Sequence, residues 1–166
     1  WTEGAVNYIK ENCPEIQLLN DEYPNGTSDD TYEGAYNAAK ELLTKYPEIK
    51  LFRTCSSLEP TGVAKAIEEL GLQGQVKIVG TGTPNDLRGL VEDGTMSYIC
   101  TWDPAAACYA MLTLAQKILS GEPIEDGVDL KAEGWNEMHF FDEDKTALAG
   151  QGWLVIDKNN VNDYDF

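Results

Sequence analysis

Apolar and polar residues alternate along this chain with two different periods, and the points where one gives way to the other mark out its elements. Ala5, Val6 and Ile9 share one face between Thr2 and Asn12, which predicts a short helix behind a Thr cap. Ile16 to Leu19 reads as a strand, and Tyr23-Pro-Asn-Gly-Thr27 as a turn. Tyr32, Ala35, Tyr36, Ala39, Leu42, Leu43 and Tyr46 then recur at helical spacing, with Asp29 and Asp30 ahead of them to complement the amino end of the dipole. Leu51 to Cys55 is the next strand. Pro60 opens a helix carrying Val63, Ala64, Ile67 and Leu70 that stops at Gly71. Val76 to Val79 is the third strand, and Thr83-Pro-Asn-Asp86 is a compact helix start, with a hydroxyl cap, Pro at the first position and an acid three residues after the cap. That helix stops at Gly94. Met96 to Thr101 is a fourth strand, after which Asp103-Pro104 caps a helix striped by Cys108, Met111, Leu112, Ala115, Ile118 and Leu119 up to Gly121.

The alternation of helix and strand implies an α/β fold, with parallel strands joined by right-handed crossovers and helices flanking the sheet in three layers. After Pro123 the rhythm changes. From Ile124 onward the chain is aromatic-rich and punctuated by glycine, with Gly152 to Ile156 as its strongest strand and Asp157 to Asn160 as a turn. The division expected is a lobe over 1–102, a separate helix over 103–123, and a segment over 124–166 that returns to the first lobe.

Charge narrows the partners. Lys and Arg number 12 against 29 Asp and Glu, a formal charge of −17, which repels phosphate backbones and argues against nucleic acid. No run approaches the roughly 18 apolar residues of a membrane span. Cys13, Cys55, Cys100 and Cys108 have no tight spacing, and they are read as buried thiols rather than disulfides.

Signals for covalent chemistry are weak. There is no G-x-S-x-G, P-loop, H-E-x-x-H or C-x-x-C, so no catalytic residue, metal site or cofactor is assigned and the chain is not read as an enzyme. The single histidine, His139, has no acid-base partner that spacing would place beside it and is read as a partly buried structural residue. Asn20-Asp-Glu22 and Asp142-Glu-Asp144 lack calcium-loop spacing and are read as solvated faces. Gly80-Thr-Gly82 has only part of a dinucleotide turn. Three turns at the carboxyl ends of strands remain: Cys55, Ser56, Ser57 and Leu58; Thr81 and Gly82; Thr101 and Trp102. They offer hydroxyls, backbone N–H groups at helix starts and an aromatic plate, which suits a neutral polyol. The competing reading has Ser56 and Ser57 satisfying turn backbone and Trp102 filling an interface.

Pro47-Glu-Ile-Lys-Leu-Phe52 before a Ser-Ser turn, Lys77-Ile-Val-Gly80 followed by Thr83-Pro-Asn85, Gly94-Thr95 through Thr101-Trp-Asp103, and the ending Asn159-Asn-Val-Asn-Asp-Tyr-Asp-Phe166 together resemble the type I periplasmic sugar-binding proteins. The nearest branch is similar to the autoinducer-2 (Lsr-type) and rhamnose receptors of ABC transporters. The resemblance implies a solute-binding component, periplasmic or extracellular with or without a lipid anchor, that closes two lobes on a small carbohydrate or autoinducer-2-like furanose and presents it to an ABC permease. It carries ligand contact over to Cys55 through Leu58, where the autoinducer receptor has Pro-Asp-Ala. Ribose-type relatives have an Asp near position 82, where this chain has Gly82, and Trp102 matches a Trp of the autoinducer and rhamnose branch. It also implies that this chain is one lobe lacking its first strand, and that the Pro104 to Ser120 helix packs on a missing amino-terminal lobe. Without that lobe, self-association is expected. An alternative is the effector-binding domain of a LacI-type transcription regulator, against which the negative charge and the absence of a helix-turn-helix argue.

Overall fold

The computed structural model describes residues 1–20 and 23–166, which fall into two compact units, Trp1–Cys100 with Ile156–Asp165 and Thr101–Val155 with Phe166. In the first unit α1 spans Thr2–Asn12, α2 Tyr32–Lys45, β1 Leu51–Arg53, α3 Glu59–Glu69, β2 Lys77–Gly80, α4 Pro84–Glu92 and β3 most of Met96–Thr101. The strands are parallel, Leu51 facing Lys77 and Phe52 facing Ile78, with Val79 facing Tyr98 and a register shift between Ile78 and Val79. A later strand, β6 (Leu154–Ile156), closes the sheet order β1-β2-β3-β6, and it enters the first unit through the fully buried Ile156.

The core explains why these segments hold. Ile67 of α3, Leu87 of α4, and Ile78, Met96 and Ile99 of the sheet are all buried, so the inward-facing apolar positions of α3 and α4 share one core with the sheet. Thr31 caps α2 by accepting from Gly34 N at 3.0 Å, and Thr83 caps α4 with Pro84 at its start. Gly71 and Gly94 follow α3 and α4 with positive φ, as the expected stops require. At the end of the unit a one-turn 3₁₀ helix, Val161–Asp163, lies against α4, and Arg88 Nη2 donates to Tyr164 O at 2.8 Å.

Several elements differ from expectation. Ile16 to Leu19 forms no strand. It is irregular chain with Ile16 43% exposed, because β1 pairs with β2 on one side and no described strand lies on the other to receive it. Thr2 is the first helical residue of α1, and Trp1 takes the cap position without a side-chain bond. The strand expected over Leu51 to Cys55 ends at Arg53, although Thr54 N still donates to Val79 O at 2.9 Å. The four thiols are free, but Cys108 is exposed and the other three are only part-buried.

In the second unit Asp103 caps α5 (Pro104–Leu119), accepting from Ala105 N at 2.7 Å and Ala106 N at 3.3 Å. Ala110 packs with Leu130 and Met138, and Leu114, Val128, Trp135 and Leu148 close around them. A two-stranded antiparallel ribbon, β4 (His139–Phe140) and β5 (Leu148–Ala149), pairs His139 with Ala149. These contacts keep residues 124–155 with α5, where the sequence division placed them with the first lobe; the two apolar residues Leu130 and Met138 are what binds them there. The opposite face of α5 is bare, with Tyr109, Met111, Leu112 and Ile118 each at least 60% exposed.

Candidate functional site

The turn after β1 is held from one side chain. Glu59, the first residue of α3, reaches back so that its Oε2 accepts from Cys55 N at 2.6 Å and Ser56 N at 3.1 Å, while its Oε1 accepts from the Ser28 hydroxyl at 2.6 Å. Ser56 Oγ donates to the Asp30 carboxylate and accepts from Leu58 N at 3.3 Å. Cys55 Sγ receives the Arg53 guanidinium at 2.8 Å and lies 3.7 Å from Thr2 Oγ1. Ser57 and Leu58 remain at the surface, and the Ser57 hydroxyl has no hydrogen-bond partner among the described residues.

The turn after β2 lies beside it. A Cβ placed on Gly82 would sit 3.9 Å from Ser57 Cα and would run into the fully buried Leu87 side chain, so any larger residue here must displace Leu87 from the core. Next to it, Thr83 Oγ1 donates to Asp86 Oδ2 at 2.7 Å, which ties the start of α4 to the turn. Thr81 is half-buried and its hydroxyl has no partner among the described residues. Two unengaged hydroxyls, of Ser57 and Thr81, thus stand on adjoining turns at the carboxyl ends of neighbouring parallel strands. Thr54, just behind them, is 5% exposed with its hydroxyl unpaired and pressed against the Gly80 backbone. Burial pushes the Cys100 thiol up, an effect the Arg53 charge partly opposes.

The remaining expected residues, Thr101 and Trp102, belong to the second unit. Thr101 is 6% exposed, and Trp102 meets Trp153 edge to face, centroids 5.7 Å apart and planes at 82°. His139 departs from its expected role. It is exposed, with Nδ1 2.9 Å from Asp126 Oδ2, while Asp126 Oδ1 accepts from Phe140 N at 2.8 Å. The Asp126 hydrogen bond holds the imidazole above its usual range, and the same contact, with the Phe140 amide, holds the Asp126 carboxyl below its own. Asp142 is engaged within its own loop by Thr146 N at 2.8 Å and Ala147 N at 3.2 Å, whereas Asp21 and Glu22 lie outside the described residues. Among the described residues no cluster of three His, Cys, Asp or Glu side chains is arranged to hold a metal.

Glu59, Asp30, Arg53 and Trp153 were not picked out by sequence reasoning. Glu59 had a visible signal, because Ser56-x-x-Glu59 is a capping-box pattern. Asp30 and Trp153 had none, since both reach their partners only through tertiary contact. A hollow of about 330 Å³ in the first unit runs along α2 between Asn25, Asn37, Glu41 and Tyr46 and shares no lining residue with the strand-end turns.

Residues 1–123 match the family model described as periplasmic binding protein domain. The chain belongs to that family. Its strand-end turns therefore sit in a binding-protein fold, with a parallel sheet flanked by helices, and several solved structures are similar in fold. A sugar ABC transporter structure from Actinomyces odontolyticus ATCC 17982 superposes with a TM-score of 0.77 at 24% identity, covering 100% of this chain and 52% of that one. LsrB from Clostridium saccharobutylicum, solved in complex with AI-2, gives 0.75 at 23% identity, covering 100% and 54%. An ABC transporter solute-binding protein from Agrobacterium vitis with bound D-fucose gives 0.71 at 21%, covering 96% and 46%. The chain thus spans about half the length of these binding proteins.

Proposed function

We propose that this chain is part of the solute-binding component of an ABC importer and contributes the turns Cys55–Leu58 and Thr81–Gly82, with Thr101 and Trp102, to the grip on a small neutral carbohydrate or autoinducer-2-like furanose. The observation that carries the reading is the pair of adjoining strand-end turns, whose Ser57 and Thr81 hydroxyls are unengaged while the turn backbone is already satisfied by Glu59. Such a site offers donors and acceptors without a net positive charge, which fits a polyol better than an anion. The Asp30 carboxylate, exposed beside Ser56, adds an acceptor for a ligand hydroxyl. Membership of the binding-protein family and likeness to structures holding AI-2, D-arabinose and D-fucose support the same class.

In this role the protein does no covalent chemistry. Ligand shifts an open–closed equilibrium by its differential contacts with the closed state, and the closed receptor, periplasmic or extracellular, delivers it to a permease. Calorimetric titration of the full-length protein against pentoses, deoxyhexoses and AI-2 tests this, with chromatography of the recovered ligand. Saturable binding with the ligand returned unchanged is expected, weakened in Ser57→Ala and Thr81→Val. Failure of every neutral sugar to bind, or recovery of a converted product, refutes it.

A further inference from the structure

An asparagine followed by glycine is open to attack by the chain on itself, because the glycine nitrogen, unshielded by a neighbouring Cβ, reaches the preceding side-chain carbonyl carbon with little hindrance. Asn25–Gly26 is the single such pair in this sequence, and Asp93–Gly94 and Asp126–Gly127 offer the same approach with a carboxyl in place of the amide. The fold treats the three differently. Gly94 N donates to Val91 O at 3.2 Å, while Asp93 Oδ1 accepts from Thr95 N at 2.8 Å. Gly127 N donates to Met138 O at 2.8 Å, while Asp126 accepts from Phe140 N at 2.8 Å and meets His139 Nδ1 at 2.9 Å. In both, the nitrogen that would attack and the carboxyl that would receive it are committed elsewhere.

At Gly26 the first restraint is missing, since its N–H has no hydrogen-bond partner among the described residues. Asn25 and Gly26 are both exposed and line the hollow along α2, so water reaches them. Packing still asks for glycine at 26, where a Cβ would stand 3.2 Å from Leu42 Cδ1 and 3.3 Å from Ala38 Cβ. Asn25 Nδ2 donates to Asn20 Oδ1 at 2.9 Å, an exposed contact for which water substitutes readily.

We propose that Asn25 is a self-modification site, converting without an enzyme to aspartate and isoaspartate. This goes beyond ligand binding and does not depend on it. The Gly26 nitrogen attacks Asn25 Cγ and gives up its proton. The new N–Cγ bond closes a succinimide ring, the Cγ–Nδ2 bond breaks, and the side-chain amide leaves as ammonia carrying that proton. One water then opens the ring. Attack at Cγ gives aspartate; attack at the backbone carbonyl gives isoaspartate, in which the main chain runs through the former side chain. Either product sets a carboxylate opposite Asn20 Oδ1 and adds a negative charge to the hollow that Glu41 also lines, so Asn20 must turn its amide round to stay bonded. The altered loop leads to Ser28, whose hydroxyl donates to Glu59.

The test holds the full-length protein in mildly alkaline buffer, folded and in parallel unfolded in guanidinium chloride. Peptide mapping with electron-transfer fragmentation, which tells isoaspartate from aspartate, follows all three sites. Conversion at Asn25 should run within about threefold of its unfolded rate and faster than at any other asparagine, whereas the fold should slow isoaspartate formation at Asp93 and Asp126 about tenfold or more. The folded protein should also gain an acidic form on anion exchange, one mass unit heavier, that Asn25→Gln does not produce. Slowing of Asn25 beyond threefold on folding, faster conversion of another asparagine, or an acidic form that persists in Asn25→Gln overturns the proposal. Equal rates at Asp93 and Asp126 in the two states overturn the protection by bonded amides from which the site was picked out.

Discussion

Glu59 is the side chain on which the candidate site turns, and its removal gives the most exacting test of the geometry. In Glu59→Ala three bonds disappear together: Cys55 N at 2.6 Å, Ser56 N at 3.1 Å and the Ser28 hydroxyl at 2.6 Å. Bonds to a charged acceptor contribute about 1.5–3 kcal/mol each, but this turn is only half-buried and water replaces part of what is lost, which brings each to about 1 kcal/mol. A net destabilisation of about 3 kcal/mol follows, a sizeable share of the 5–15 kcal/mol typical of a domain. Glu59→Gln keeps an acceptor oxygen without its charge and should lose about half as much. Urea unfolding of the full-length protein followed by circular dichroism measures the difference, and hydrogen exchange at the Cys55 and Ser56 amides localises it. Because the Ser57 hydroxyl is aimed by this turn, ligand affinity should fall in parallel. A Glu59→Ala variant within about 0.5 kcal/mol of wild type, or unchanged exchange at both amides, would refute the reasoning.

Further outcomes are expected. Trp102→Ala should weaken ligand binding by about 1–3 kcal/mol with the fold intact, and unchanged affinity in calorimetry would leave Trp102 a packing role. Gly82→Ala forces its Cβ into the Leu87 side chain and should cost about 1–3 kcal/mol on urea unfolding; a neutral result would show that the turn relaxes freely. His139, raised by Asp126, contributes fully below the ordinary imidazole value of about 6.5 and loses this as pH rises through its higher folded value, while Asp126, lowered, contributes above the ordinary carboxyl value of about 4 and loses this as pH falls through its lower one. The His139 ring should therefore titrate above about 6.5 by NMR and move back in Asp126→Asn, and an unmoved midpoint would break the assignment. The bare face of α5 should drive the 166-residue chain to self-associate in sedimentation, relieved by Leu112→Lys; a monodisperse monomer of the parent chain would remove the reason for expecting a partner there.

Periodicity carried most of the first unit because the stripes of α2, α3 and α4 had a buried face to fill, whereas the stripe read on α5 (Cys108, Met111, Leu112, Ala115, Ile118 and Leu119) is exposed and Ala110 is the residue that faces its core. Ala35, Ala39 and Leu43 of α2, and Val63 and Ile67 of α3, are buried as their spacing implies, while Ala64 is only part-buried, Leu70 is 37% exposed and Ala66 fills the core in their place. The helix starts at Thr83 and Asp103 were legible for a local reason, since both caps bond to backbone within three residues. The site was half legible by the same logic. Turns at strand ends follow from topology, so Cys55–Leu58 and Thr81–Gly82 could be placed together before their contacts were known. Their geometry could not, because Asp30 reaches Ser56 across 26 residues and Ser28 reaches Glu59 across 31. His139 was misread for a similar reason, its partner Asp126 being 13 residues away and brought near only by the ribbon that pairs β4 with β5.

The failed strand at Ile16 to Leu19 carries a further step. An apolar run adopts β structure when a neighbour takes its hydrogen bonds, and propensity alone is worth too little to fix it. Here β1 presents its outer edge with Leu51 47% exposed, and Ile16 is 43% exposed in chain that no described strand adjoins. Both halves of a pairing are thus present in composition and absent in contact, and parallel strands rarely stay open in this way. In the proposed receptor a further strand beside β1 would cover Leu51 and give residues 16–19 an edge to join. Hydrogen exchange on the full-length protein decides this: slow amides at residues 16–19 and at Leu51–Arg53 are expected, and rapid exchange at 16–19 would mean that this run is loop in the native receptor as well.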